Sequence, residues 1–204
     1  MIILYIILSS SKKINMKKTI SILALLLSIN ILAQSSKPCP ITGESKNYEK
    51  RFNDSLKNRN FSSDSIIQLP ASAFLAPGND ISRFKYSEFV RVRGKITDVK
   101  HGGAELCNCH SSEKTDLDIH IVLSDSLGNG KIICEVNRYT QATDTTLNYK
   151  NVHSMIGKQV NITGWIFFDG EHKQNATNTC VNCSNVWRTT CVEVHPVMKI
   201  EIVK

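Results

Sequence analysis

Two stretches of this chain place imidazoles and carboxylates along one side of a strand. In Asp116-Leu-Asp-Ile-His-Ile-Val-Leu123, Leu117, Ile119, Ile121 and Leu123 alternate with Asp118 and His120. In Trp187-Arg-Thr-Thr-Cys-Val-Glu-Val-His195, Thr190, Val192 and Val194 alternate with Cys191, Glu193 and His195. Successive side chains of a strand point to opposite faces, so each stretch has an apolar and a polar face. A third stretch, Lys131-Ile-Ile-Cys-Glu-Val-Asn137, sets Glu135 and Asn137 opposite Ile132, Cys134 and Val136. Imidazoles and carboxylates from adjacent strands bind zinc, or manganese where oxygen dominates. The same groups act as general acids and bases. The candidates are His120 and His195 as metal ligands, with Asp118, Glu135 and Glu193 as ligands or catalytic groups. The competing reading is a solvated barrel exterior with ordinary cross-strand polar pairs.

The second constellation is cysteine-borne. Cys107, Cys109 and His110 fall in one predicted loop, Cys180 and Cys183 in another. If the loops converge, a C-x-C and a C-x-x-C could form a four-cysteine zinc site. The alternative is one or two disulfides tying the loops down, which export favours. The total of seven cysteines leaves at least one as a thiol, a metal ligand or an intermolecular bridge. A redox C-x-x-C normally opens a helix after a strand, and this one lies in a Thr/Asn-rich loop. Zinc deaminase chemistry needs an H-x-E ahead of its C-x-x-C, and none is present. A P-loop, a Gly-x-Ser-x-Gly elbow and a His-Glu-x-x-His helix are also absent, so covalent serine catalysis has no support.

The elements that must position these groups are strands. Phe89 to Val99 alternates with Gly94 in its middle, and Gln159 to Phe168 does so around Gly164. A mid-strand glycine marks a bulge or a bend. The 117–123 and 131–137 strands read as a hairpin around Gly128-Asn-Gly130. Tyr149, Val152 and Ile156 have helical spacing, and a last strand runs from Trp187 to His195, is broken at Pro196 and resumes over 198–203. Three strands, a short helix and two strands predict a mostly β, five-stranded OB-like Greek-key barrel. In that circuit the second strand pairs with the third and the third lies beside the fifth. Asp118, His120, Glu135, Glu193 and His195 then become neighbours.

A closer likeness rests on Leu75-Ala-Pro-Gly78, Cys107-Asn-Cys-His110, Asp118-Ile-His-Ile121, Gly164-Trp-Ile-Phe-Phe-Asp169, Glu171-His172, Trp187-Arg188 and Glu193-Val-His-Pro196. From about Leu75 onward the chain resembles an uncharacterised family of exported bacterial OB-fold-like proteins. The resemblance implies that these residues form a domain and supplies no activity to carry over. The Cys180-Val-Asn-Cys183 segment departs from that pattern.

The 204 residues suffice for one domain and a tail. Lys17 and Lys18 precede an apolar run, Ile20 to Leu32, ending at Ala33, which is the pattern of a secretory signal peptide. Residues 1–33 are therefore expected to be removed, with Met16 as a candidate true start. The run is shorter than the ~20 residues of a membrane span, and no later segment could cross. Removing 1–33 takes four lysines and no acid, lowering the formal charge from +7 to +3. That mild charge gives little support for nucleic acid. Residues 34–86 read as an irregular, Pro-rich lead-in arm before a barrel over 87–204. Within the arm, Tyr48, Phe52 and Leu56 suggest a short helix with one apolar face.

Other binding candidates surround the strands. Arg91, Arg93 and Lys95 with Phe89 have the composition of a single-strand nucleic-acid platform. His172, Trp187 and Arg188, with Glu171, could frame the mouth of a site. The leading expectation is an exported, periplasmic or secreted, domain that binds a small molecule, oligosaccharide or protein across its second, third and fifth strands. The alternatives are a metal-dependent hydrolase of nuclease or phosphoesterase type, with zinc or manganese as cofactor, and a structural envelope module.

Overall fold

The computed structural model describes residues 38–203. The expected signal peptide and the alternative start at Met16 lie outside the described residues. Six strands form the framework: β1 (Ile67–Pro70), β2 (Phe89–His101), β3 (Ile119–Ser124), β4 (Ile132–Val136), β5 (Gln159–Phe168) and β6 (Val192–Ile202). Five of them close in the order β2-β3-β4-β6-β5, with β5 returning to β2. Within the ring β4–β6 is parallel and every other pairing is antiparallel. That is the OB circuit which the alternation predicts. β1 adds a short parallel strand to β2.

The inward residues are those the period of two selects. Val90, Val92, Ile96, Ile119, Ile121, Leu123, Ile132, Cys134, Val136, Val160, Ile162, Val192, Val194 and Val197 fill the barrel. Each fully buried aliphatic side chain contributes about 1.5–3 kcal/mol. Both mid-strand glycines sit where the sheet crowds itself. A Cβ on Gly94 would lie 2.4 Å from the Ser124 carbonyl, and one on Gly164 would lie 2.4 Å from the Pro196 carbonyl.

Several local expectations are corrected. β6 begins at Val192 rather than Trp187 and runs unbroken through Pro196. Proline is tolerated there because the β5–β6 register shifts between Gly164 and Ile166, so the ladder asks no N–H of it. Between β4 and β5 the expected short helix is present as α4 (Tyr149–His153), and it is preceded by α3 (Arg138–Thr143) and a 3₁₀ turn (Thr145–Leu147). Asn137, Asp144 and Asn148 each cap the next segment and so divide the stretch.

The arm carries α1 (Tyr48–Lys57), β1 and α2 (Ala71–Leu75), joined by irregular chain. Asn47 caps α1 by accepting from the Lys50 N–H at 3.1 Å. The helix forms where its apolar spacing predicts, yet its orientation is reversed. Tyr48 and Phe52 face solvent, whereas Asp54 is buried. The surface beneath α1 is polar, so the helix offers it Asp54, Lys57 and the following Asn58. Among the described residues no helix is long and apolar enough to cross a membrane.

Candidate metal centre

The polar faces of β3, β4 and β6 do meet. Register pairs His120 with Glu135 across β3–β4, and Cys134 with Val194 across β4–β6. The His195 imidazole, fully buried, is the centre. Its Nδ1 lies 3.2 Å from Glu135 Oε2 and 3.6 Å from Glu193 Oε2, and its Nε2 lies 3.6 Å from Asp118 Oδ2. His120 Nε2 lies 3.0 Å from Glu135 Oε1. One ligand atom from each of Asp118, Glu135 and His195 falls within 4.8 Å of the others. These contacts are close but oblique: both nitrogens of His195 and Nε2 of His120 are buried and make no hydrogen bond.

The reading of this face as solvated exterior is overturned, because Asp118, Glu135, Glu193 and His195 are each 5% exposed or less. The cover is the arm. A disulfide joins Cys39 to Cys109 across 70 residues and brings the arm onto the loop before β3. Asn58 Nδ2 donates to the Cys107 and Ile41 carbonyls, and Asn137 Nδ2 to the Lys57 carbonyl. Arg59 reaches beneath, donating to the Ile166 carbonyl at 2.9 Å and the His195 carbonyl at 3.3 Å.

Burial sets the electrostatics. It pushes the carboxyl groups of Asp118 and Glu135 well up, against the pull of His195. It takes Glu193 to about 7 although Arg188 opposes it. It also holds the His195 imidazole below its ordinary value despite Glu135 and Asp118. Lys57 lies 2.9 Å from Glu105. Burial disfavours its charge, but Glu105, Glu135 and Glu193 outweigh burial and keep it protonated.

A second chain of groups leads outward from Glu193. Arg188, buried in a loop, lies 2.8 Å from Glu193 Oε1 and 3.0 Å from Asp169 Oδ2, and its Nε donates to the Thr190 carbonyl. Asp169 in turn meets His172 Nδ1 at 2.5 Å. Burial would raise Asp169, but His172 and Arg188 hold it far below the usual carboxylate range. The hydrogen bond to Asp169 raises His172. Trp187 stands half-exposed, with the His172 ring edge-on at 5.7 Å and Lys100 at 5.7 Å.

Arg188 therefore joins the predicted cluster, and His172 and Trp187 lie at its outer end. Arg91 and Arg93 do not join it. Arg91 pairs with Thr163 and Glu201 towards the far half of β6, and Arg93 is exposed on β2. The nucleic-acid platform loses its aromatic, since Phe89 is buried against Trp165 with ring centres 4.9 Å apart. The four-cysteine zinc site does not form. Cys109 pairs with Cys39, Cys180 pairs with Cys183, and Cys107 is a buried thiol whose proton burial holds strongly. The C-x-C was drawn to the arm's cysteine rather than to the other loop.

Sequence reasoning missed Lys57, Arg59, Glu105 and Asp169. Asp169 closes the Gly164-Trp-Ile-Phe-Phe-Asp169 run, where it could have been found. Arg59 and Glu105 sit in polar segments outside the regular elements, and Lys57 lies on the side of α1 opposite to the one its apolar spacing selects. Comparison of the chain with protein-family models and with curated proteins finds no match.

Proposed function

We propose that this protein is an exported barrel that holds a divalent metal ion, zinc or manganese, between Asp118, Glu135 and His195. The observation that carries this reading is the His195 ring. Three carboxylates stand 3.2–3.6 Å from its buried nitrogens, yet neither nitrogen is hydrogen-bonded. A network selected only for stability would satisfy those groups, because a buried polar atom without a partner costs about 1–3 kcal/mol. The charge balance points the same way. The carboxyl groups of Asp118, Glu135, Glu193, Glu105 and Asp169 outnumber the permanent cations Lys57, Arg59 and Arg188 five to three. A divalent cation would offset that excess. One imidazole with two carboxylates suits zinc or manganese, and His120 and Glu193 stand ready as further ligands. Export is supported by the apolar run behind Lys17 and Lys18 and by the long-range disulfide, which persists in oxidising compartments.

Metal-assisted hydrolysis is the second reading, favoured by the buried, unbonded Nε2 of His120 beside Glu135. A bound ion would supply Lewis acidity and a water of lowered pKa. Glu193 and His120 would carry the proton transfers. Substrate would need the arm to yield, since the arm covers the face that an external ligand would otherwise meet. The test is metal analysis after gentle purification, together with melting of stripped protein on metal addition. Near-stoichiometric zinc or manganese is expected, lost in the double variant His120→Ala, His195→Ala. A metal-free protein whose melting ignores both ions overturns the proposal. Turnover of model phosphodiesters and phosphomonoesters by loaded protein, absent in the same variant, separates hydrolase from binding module.

A further inference from the structure

Position 102 lies on the face of the metal centre and carries no side chain. The ladder between β2 and β3 pairs Lys100 with His120 and His101 with Ile119. Gly102, just beyond β2, continues it by donating its N–H to the Asp118 carbonyl at 2.7 Å. Opposite residues of an antiparallel pair share a face, so a side chain at 102 would project beside Asp118 and His120.

The backbone does not ask for glycine there. Its φ lies outside the left-handed region, and a glycine that extends a strand weakens it. The neighbouring side chain does ask for it. A Cβ on Gly102 would lie 2.9 Å from Nε2 and 3.0 Å from Cδ2 of His120, and 3.3 Å from the Asp118 carbonyl oxygen. The next residue, Gly103, has nothing within 4 Å of the same point. At Gly94 and Gly164 the closest atom is a backbone carbonyl. The space left by the missing Cβ at 102 is filled by an imidazole of the centre.

That seat fixes where the ring points. Nε2 of His120 faces Glu135 Oε1 at 3.0 Å, while the other oxygen of the same carboxylate faces His195 Nδ1 at 3.2 Å. One carboxylate thus stands between the two imidazoles. Nε2 of His120 is buried without a hydrogen bond, yet the side chain as a whole is 19% exposed, the most open of the cluster. A methyl group at 102 would crowd Nε2 out of its place. The direction left to the ring is outward, away from Glu135.

Ligand chemistry gives the seat its consequence. Imidazole suits zinc, whereas carboxylate and water suit manganese. Asp118, Glu135 and His195 offer two carboxylates and one imidazole. A seated His120 makes the set two and two, a four-ligand nitrogen and oxygen set that suits zinc. With His120 swung out, oxygen dominates.

Building on the metal-binding reading above, we propose that Gly102 is a positioning residue that seats His120 as the fourth ligand and so makes the centre selective for zinc over manganese.

Zinc and manganese titrations of the mature, metal-stripped protein test it, with a chromophoric chelator competing for zinc. Gly102→Ala should weaken zinc about tenfold or more and manganese about threefold at most. Gly103→Ala should change neither. His120→Ala should lose as much zinc affinity as Gly102→Ala, and the double variant no more than either alone, because both remove one interaction. Imidazole NMR reads the ring itself. In metal-free protein Gly102→Ala should move the His120 signals and leave those of the exposed His153 in place. In the parent, zinc should shift His120 Nε2 as ligation does. A parent that binds neither ion overturns the metal reading and the seat together. If the parent binds zinc, three results overturn the seat alone: zinc affinity indifferent to Gly102→Ala and His120→Ala, equal weakening of both ions, or a His120 ring that neither the substitution nor zinc moves. Should Gly102→Ala fail to fold, His120→Ala and the zinc-induced shift in the parent decide.

Discussion

Replacing Arg188 by Met should be among the most damaging single changes that leave the barrel's apolar core intact. The guanidinium side chain is 1% exposed and touches two acids, at 2.8 and 3.0 Å. Breaking a buried pair by removing one partner costs about 3–5 kcal/mol, chiefly because the other charge is left uncompensated. The two acids differ in how they bear that loss. Glu193 already sits near 7, so it can take up a proton cheaply at neutral pH. Asp169 is held far below the carboxylate range and must either stay charged with His172 alone or gain a proton at higher cost. Asp169 therefore carries most of the penalty. For a domain of this size the expected loss lowers the melting temperature by roughly 6–20 °C. Urea denaturation of metal-stripped protein, followed by the fluorescence of the buried Trp165, measures it directly. The double variant Arg188→Met, Asp169→Asn should recover at least about 1 kcal/mol relative to Arg188→Met alone, since contacting groups are not additive. Arg188→Lys should also lose stability, because a single ammonium cannot reproduce the fork that spans both acids. The reasoning fails if Arg188→Met costs under about 1 kcal/mol, or if the pair proves additive.

Two further outcomes follow from the same contacts. Cys39→Ser should cost roughly 4 kcal/mol, the chain-entropy value for a 70-residue separation, against about 1–2 kcal/mol for Cys180→Ser at a separation of 3; equal losses in non-reducing urea titrations would mean that the disulfide does not tie the arm down. His172 is raised by Asp169, so its contribution is present below the unfolded value of about 6.5 and is lost as pH rises through the folded value. The ring is half exposed, so the stability gap between parent and His172→Gln should be under about 1 kcal/mol and largest on the acid side; a gap that widens with pH contradicts the pairing.

The strand circuit and the membership of the polar face were legible because both depend on one period. Val90, Val92 and Ile96 declare β2, and the alternation that sends Ile119, Ile121 and Val194 inward must send His120 and His195 outward. What period two cannot state is what lies over an outward face. That depended on contacts with no local signature: Cys39 meeting Cys109 across 70 residues, Asn58 reaching the Cys107 carbonyl, and Arg59 reaching the His195 carbonyl. The apolar spacing of α1 even pointed the wrong way, since Tyr48 and Phe52 are exposed and the polar side is the one packed. Pro196 misled for a related reason. Its effect on a strand depends on whether the neighbour needs its N–H, and the bulge at Gly164 removes that need.

The cover changes the physical meaning of the residues beneath it. Asp118, Glu135 and Glu193 facing water would be ordinary strand residues, each solvated at little cost. Under α1 and the Cys39–Cys109 bridge they lose that water, and burial drives all three carboxyl groups upward. Apolar residues of similar volume would be as stable there or more so. The chain nevertheless keeps two imidazoles whose buried nitrogens lack hydrogen bonds among these acids. Groups that make a fold less stable and converge on one point are best explained by something that binds there. On the proposed metal reading the arm would be part of the centre: by withdrawing water from Asp118, Glu135 and His195 it would strengthen their attraction for a cation.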